Sequence, residues 1–103
     1  MRKIKNDKTS ILMEDGPDLG KPAPYSVFLR NVINVAPQGM QIEEMRNRIK
    51  ILDKLEDSKS EIILEDAEWQ LLKTSLERFQ WKTAHKDFVA LADSVINAEE
   101  VKQ

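Results

Sequence analysis

The sequence predicts a mainly α fold, a small three- to four-helix domain behind an irregular, partly extended N-terminal arm. Three observations predict it. First, all three glycines (Gly16, Gly20, Gly39) and all four prolines (Pro17, Pro22, Pro24, Pro37) fall within the first 40 residues, leaving 63 consecutive residues free of either. Glycine carries an entropic penalty and proline removes a backbone donor, so both punctuate helices. Second, apolar side chains in the later part recur at steps of three and four, the spacing that lines one face of a helix. Third, 103 residues, 41% of them apolar, suffice for one domain with one core. Aromatic residues supply only 6%, so that core must rest on Leu, Ile, Val and Met. The predicted organisation is an arm or linker over residues 1–24 and a helical domain over residues 25–103.

Within the arm, Lys8 to Glu14 alternates weakly and is a candidate strand (8–14). Glu14-Asp15-Gly16-Pro17-Asp18 is a turn signal, and Lys21-Pro22-Ala23-Pro24 reads as extended or polyproline-like. Residues 25–36 stand between helix and strand. Phe28, Leu29, Val32 and Ile33 fit a helical face, whereas the β-branched content favours a strand. Alternation fails at Phe28-Leu29 and at Val32-Ile33, which tilts the reading towards helix.

A helix is predicted from Gln41 to Asp57, with Ile42, Met45, Ile49 and Leu52 along one face, Leu55 extending that stripe and Ile51 widening it. Glu43 and Glu44 lie at its start, where carboxylates meet the positive end of the helix dipole. Ser58-Lys59-Ser60 reads as a linker, and the apolar tetrad Glu61-Ile62-Ile63-Leu64 is a candidate strand (61–64). The next helix, Asp66 to Phe79, aligns Trp69, Leu72, Leu76 and Phe79, with Glu65 or Asp66 as its cap. The last, Thr83 to Ala98, aligns Ala84, Phe88, Leu91, Val95 and Ala98, with Thr83 as N-cap. Gln80-Trp81-Lys82 is a tight corner between these two helices, and the tail from Glu99 is expected to fray.

The composition narrows function. No cysteine is present and His85 is the one histidine, which removes disulfides, thiolate metal sites, cysteine nucleophiles and histidine clusters. No Gly-x-Ser-x-Gly elbow accompanies the serines. Carboxylates such as Glu43, Glu44, Asp53 and Glu77 fall on the polar sides of predicted helices and read as solvated charge. The sequence therefore predicts a protein that is not an enzyme and takes no cofactor, metal or small-molecule substrate. Gly20-Lys21-Pro22 lacks the phosphate-loop pattern, and the acids of residues 14–18 do not alternate as a calcium loop requires. His85, beside the apolar face of its helix, reads as a half-buried or capping residue. No apolar run approaches the roughly 20 residues that cross a bilayer, nor does the basic start lead into a signal-peptide core, so the expected location is cytoplasmic.

Two binding classes remain. Residues 1–8 carry a local charge of +3 against −5 for the rest of the chain. Arg2, Lys3, Lys5 and Lys8 could follow phosphates as a detached arm. Arg46, Lys50 and Lys54 line up at four-residue spacing on the first long helix, interrupted by Glu43, Asp53 and Asp57. An acidic domain begins at a disadvantage towards nucleic acid, so nucleic-acid binding, or transcriptional regulation through it, is the second reading. The first is protein contact or self-association. A core of this size is marginal alone, which favours a partner. Trp81 sits in a corner where full burial is least expected, and tryptophan is enriched at interface hot spots. Tyr25, Phe28, Met40 and Met45 form a second candidate patch, and Pro22-Ala23-Pro24-Tyr25 could dock extended on a neighbour at low entropic cost.

The stretch Ile62-Ile63-Leu64-Glu65-Asp66-Ala67-Glu68-Trp69, followed by Leu71-Leu72-Lys73, resembles a pattern common in small accessory and assembly proteins of tailed bacteriophages. The resemblance covers residues 28–98 in layout and about a dozen residues in detail, and it transfers no functional residue. It implies a helical, non-enzymatic assembly role, as a virion part, a chaperone or a regulator of the host, in the host cytoplasm or the particle.

Overall fold

The computed structural model of the chain describes residues 1–14, 16, 17, 19–36, 39–57, 60–81 and 84–100. In order, the elements are β1 (Arg2–Lys5), β2 (Lys8–Leu12), β3 (Pro22–Pro24), α1 (Tyr25–Asn34), α2 (Ile42–Asp57), β4 (Glu61–Leu64), α3 (Asp66–Arg78), α4 (Lys86–Ile96) and β5 (Glu99–Glu100). Four helices thus share the domain with two small antiparallel sheets, one of order β4-β1-β5 and one of order β2-β3. The expectation of a mainly α domain behind an irregular arm is corrected. The fold is mixed α and β, and the segment read as an arm supplies the middle strand of the larger sheet.

That strand, Arg2-Lys3-Ile4-Lys5, carries a single apolar residue, too few to display alternation. Its pairing supplies what its sequence lacks. Arg2 lies opposite Leu64 and Ile4 opposite Ile62, and directly opposed residues share a face. Ile4, Ile62 and Leu64 are each at most 1% exposed, so this face covers the helices. The other face carries Lys3, Lys5, Glu61 and Ile63, all exposed. A lone isoleucine flanked by lysines is thereby a half-buried strand. On the other side, Arg2 and Lys3 pair with Glu100 and Glu99, so the tail expected to fray is held in the sheet through Glu100.

The candidate strand over 61–64 is present, and the one over 8–14 is shorter, ending at Leu12. β2 and β3 make a ribbon whose register shifts between Lys8 and Leu12. Met13 N–H donates to Lys21 O at 2.9 Å and Gly20 N–H to Met13 O at 3.0 Å, closing a loop in which Gly16 and Gly20 take φ near +80°. Only glycine adopts that conformation without strain. Buried Thr9 donates its hydroxyl to Ala23 O at 2.8 Å.

Residues 25–34 resolve to helix. α1 begins directly after Pro24, which offers no side-chain cap, and its orphan amides turn to the β1–β2 link instead. Tyr25 N–H donates to Asp7 O at 2.8 Å, and Ser26 N–H to Asn6 Oδ1 at 2.9 Å. α3 opens with Glu65 N–H donating to the Glu68 carboxylate at 2.8 Å, one arm of a capping arrangement. α4 starts at Lys86 with His85 as its N-cap. The expected cap, Thr83, lies outside the described residues, as do Asp15 and Asp18 of the acidic turn and Ser58 and Lys59 of the linker.

One core serves both layers. Leu29, Val32 and Ile33 of α1, Ile51 and Leu55 of α2, Leu72 and Leu76 of α3 and Leu91 and Val95 of α4 pack with the sheet residues. Trp69, on α3, is pinned as well as buried: its Nε1–H donates to Val95 O at 2.8 Å, and the Arg2 guanidinium lies 4.3 Å from its ring centre. Ile4→Ala opens a cavity where sheet and helices meet, and the expected loss is about 2–5 kcal/mol. Lys3→Ala, one residue away on the solvent face, is expected to cost under about 0.5 kcal/mol. Urea denaturation of both variants checks the pair.

Candidate functional site

α2 carries two apolar arcs and can bury only one. The arc that faces the core consists of Arg48, Ile51 and Leu55. Arg48 belongs there because α1 ends against it. The last carbonyls of a helix have no partner within the helix, and Arg48 Nη1 donates to Ile33 O at 2.9 Å, while its Nε donates to Glu44 Oε2 at 3.2 Å. A guanidinium at this end also opposes the negative pole of the α1 dipole. The expected core stripe Ile42-Met45-Ile49-Leu52 is therefore corrected: Ile42 is 62% exposed, Met45 41% and Ile49 50%, and Leu52 is half-buried at the edge of the core. An apolar strip two to three turns long faces solvent. Along one flank run Arg46, Lys50, Asp53 and Asp57, all exposed.

The residues proposed as a protein interface separate. Met45 stands on that strip and Met40 is half-buried just before it. Tyr25 belongs to the core. Burial, together with the nearby Asp7 carboxylate, raises its phenol above the ordinary value, against a hydrogen bond from Ser94. Phe28 meets Phe88 edge-on at 5.3 Å. Trp81 stacks on Phe88 at 4.4 Å and meets Phe79 edge-on at 4.7 Å, so its ring is half-buried and engaged within the chain. Beside it, Trp81, Ala84, His85, Phe88, Val89 and Ala92 line an open depression of about 550 Å³.

The candidate nucleic-acid contacts are largely occupied. Arg2 lies over Trp69, donates to Ala98 O at 3.1 Å and stands 3.8 Å from the Asp66 carboxylate. Lys3 pairs with Glu61 at 3.3 Å, Lys5 with Asp7 at 3.8 Å and Arg46 with Glu43 at 3.2 Å. Lys54 pairs with Glu68 across α2 and α3. Lys8 and Lys50 are exposed without an ion pair among the described residues. Five of the seven cations thus sit beside a carboxylate.

His85 accepts a hydrogen bond at Nδ1 from Asp87 N–H at 3.1 Å, a capping role. The Asp87 carboxylate accepts from both the Ser10 hydroxyl, at 2.6 Å, and the Ser10 amide, at 2.8 Å, fastening β2 to the start of α4. Among the described residues no three His, Cys, Asp or Glu side chains are grouped to hold a metal, and no helix is long and apolar enough to cross a membrane. No family model, curated protein or solved structure matches the chain.

The residues that sequence reasoning missed are Arg48 and the outward Ile42 and Ile49. The available signal was Ile51 and Leu55, four residues apart and one-third of a turn from the main stripe, with Arg48 completing their face.

The Ser10 hydroxyl, followed by its amide, holds the Asp87 carboxyl below its ordinary value of 3.8. A folded pKa below the unfolded one means that the ionised form favours folding. This contribution is complete above the unfolded pKa and is lost as pH falls through the folded one. Ser10→Ala is expected to lower stability at pH 7, with the difference from the parent shrinking as pH falls below the ordinary value of 3.8. Urea denaturation on either side of that value reads it.

Proposed function

We propose that the chain is a non-enzymatic protein-docking module whose contact surface is the outer face of α2. The supporting observation is the exposed strip Ile42-Met45-Ile49 on a helix whose opposite side is fully committed to the core. Single exposed apolar residues are ordinary, but a contiguous strip rimmed by charge is the composition of an interface. Helices that dock in this way present anchors at i, i+3 and i+7, the spacing of these three residues. The reading moves the interface from Tyr25 and Trp81, which are engaged inside the chain, to Met45 and its two isoleucine neighbours. Reading the basic N-terminus as a nucleic-acid arm loses ground because β1 is committed to the sheet. A role in tailed-phage assembly draws its support from the pattern at Ile62–Lys73 alone.

Placing the photo-crosslinker benzoylphenylalanine at position 49, and separately at Gln70 on exposed α3 surface, tests the docking face in the cells that make the protein. Protein adducts at position 49 and none at position 70 are expected. Irradiation that yields no adduct at position 49 contradicts the reading. Ile49→Lys should shift folding stability by less than about 0.5 kcal/mol, as a surface change does.

A further inference from the structure

We infer that the occupant of the α2 face is a second copy of the chain, the two α2 helices packing antiparallel about a two-fold axis. This rests on the reading of α2 as a docking face, and it adds the partner and its orientation. The observation that selects the partner is the order of charge along the flank. Arg46 and Lys50 give the N-terminal half a net positive charge, with Glu43 paired to Arg46 at its start, and Asp53 and Asp57 occupy the C-terminal half, all five exposed beside the strip. A surface that is basic at one end and acidic at the other complements itself when turned end for end, which is what an isologous two-fold contact does.

A two-fold axis passing level with residues 50 and 51 meets both requirements of packing and charge. At 1.5 Å rise per residue, Ile49 of each copy then faces Leu52 of the other, and Met45 lies along the stem of Glu56. Arg46 comes within about 3 Å, measured along the axis, of both Asp53 and Asp57 of the other copy, and Lys50 comes equally close to Asp53. A parallel two-fold pair would carry the two charged flanks to opposite sides of the contact, so Arg46 and Lys50 of one copy would meet neither Asp53 nor Asp57 of the other. Antiparallel pairing also sets the positive pole of each helix beside the negative pole of its neighbour. The in-chain pair Arg46–Glu43 is exposed at both ends and so contributes little that a new partner must replace. One helix pair buries less than the roughly 1,200 Å² of a stable interface, so the dimer is weak and depends on concentration.

Sedimentation equilibrium of the full chain from about 10 µM to 1 mM tests this, with Ile49→Lys and two charge-reversed variants, R46E/K50E and D53K/D57K. The parent is expected to rise from 11.9 kDa towards twice that mass. Ile49→Lys, and each charge-reversed variant alone, should weaken association at least tenfold. Mixing the two charge-reversed variants should restore it, because every reversed pair is again opposite in sign. Circular dichroism melts confirm that the variants remain folded. A parent that stays monomeric at 1 mM overturns the second copy, as does a dimer indifferent to Ile49→Lys. A dimer lost in Ile49→Lys but unaffected by charge reversal and mixing overturns the antiparallel arrangement. The crosslink at position 49 separates this from the broader reading: adducts of other proteins on a monomeric parent reject self-association and leave α2 a docking face, whereas no adduct and no dimer reject both.

Discussion

The structure depends on β1 occupying the middle of its sheet. A strand of four residues holds β4 on one side and β5 on the other, joining the N-terminus, the middle and the C-terminal end of the described chain. Its isoleucine closes the core from the sheet side, and its first arginine covers Trp69. The link that follows it caps α1 through Asn6 and Asp7, because Pro24 brings no capping side chain. Without β1, β4 would have no strand to pair with in that sheet, and the first amides of α1 would be left without acceptors. Unsatisfied amides of this kind each cost on the order of 1–3 kcal/mol when buried.

The same economy determines what the surface offers. A sheet covering one side of the core leaves α2 to contribute only a narrow arc, and Arg48 takes a place within it by satisfying the end of α1. The larger apolar arc of α2 is then superfluous to folding and remains outside. An arrangement that buried Ile42, Met45 and Ile49 would turn Ile51 and Leu55 to water and leave the Ile33 carbonyl without its donor. The exposed strip is thus a consequence of how the chain folds, which makes it available for contact without any rearrangement. The basic residues near the start follow the opposite course. Placed in the central strand and its surroundings, most find carboxylates within the chain.

Much of the helical content was legible in the sequence. Trp69-Leu72-Leu76 and Leu91-Val95 each define a single face, and the structure buries those faces, although α4 ends at Ile96, short of the expected Ala98, and Ala84 stays exposed ahead of it. The tetrad at 61–64 showed its strand through adjacent β-branched residues. β1 was not legible because one isoleucine between lysines has no local signature. Its burial comes from Ile62 and Leu64, some 60 residues away in sequence. β5 owes its conformation equally to a distant strand. The site was half legible. The stripe on α2 was visible as a pattern, but its direction was not, since period alone does not tell a core face from an interface face. The choice was made by a hydrogen bond from Arg48 to Ile33 O, which no periodicity encodes.

The account stands most directly on the amide of Ile4. Asn6 N–H donates to Ser60 O at 3.0 Å, and the two-residue period of an antiparallel ladder points the Ile4 amide at Ile62. Native-state hydrogen exchange measures whether that bond opens only when the whole domain does. The account predicts an Ile4 amide protected as strongly as those of Leu72 and Leu91 in α3 and α4. Exchange at Ile4 as fast as in the loop between β2 and β3 would contradict it, because the first strand would then be an arm resting on a fold that does without it.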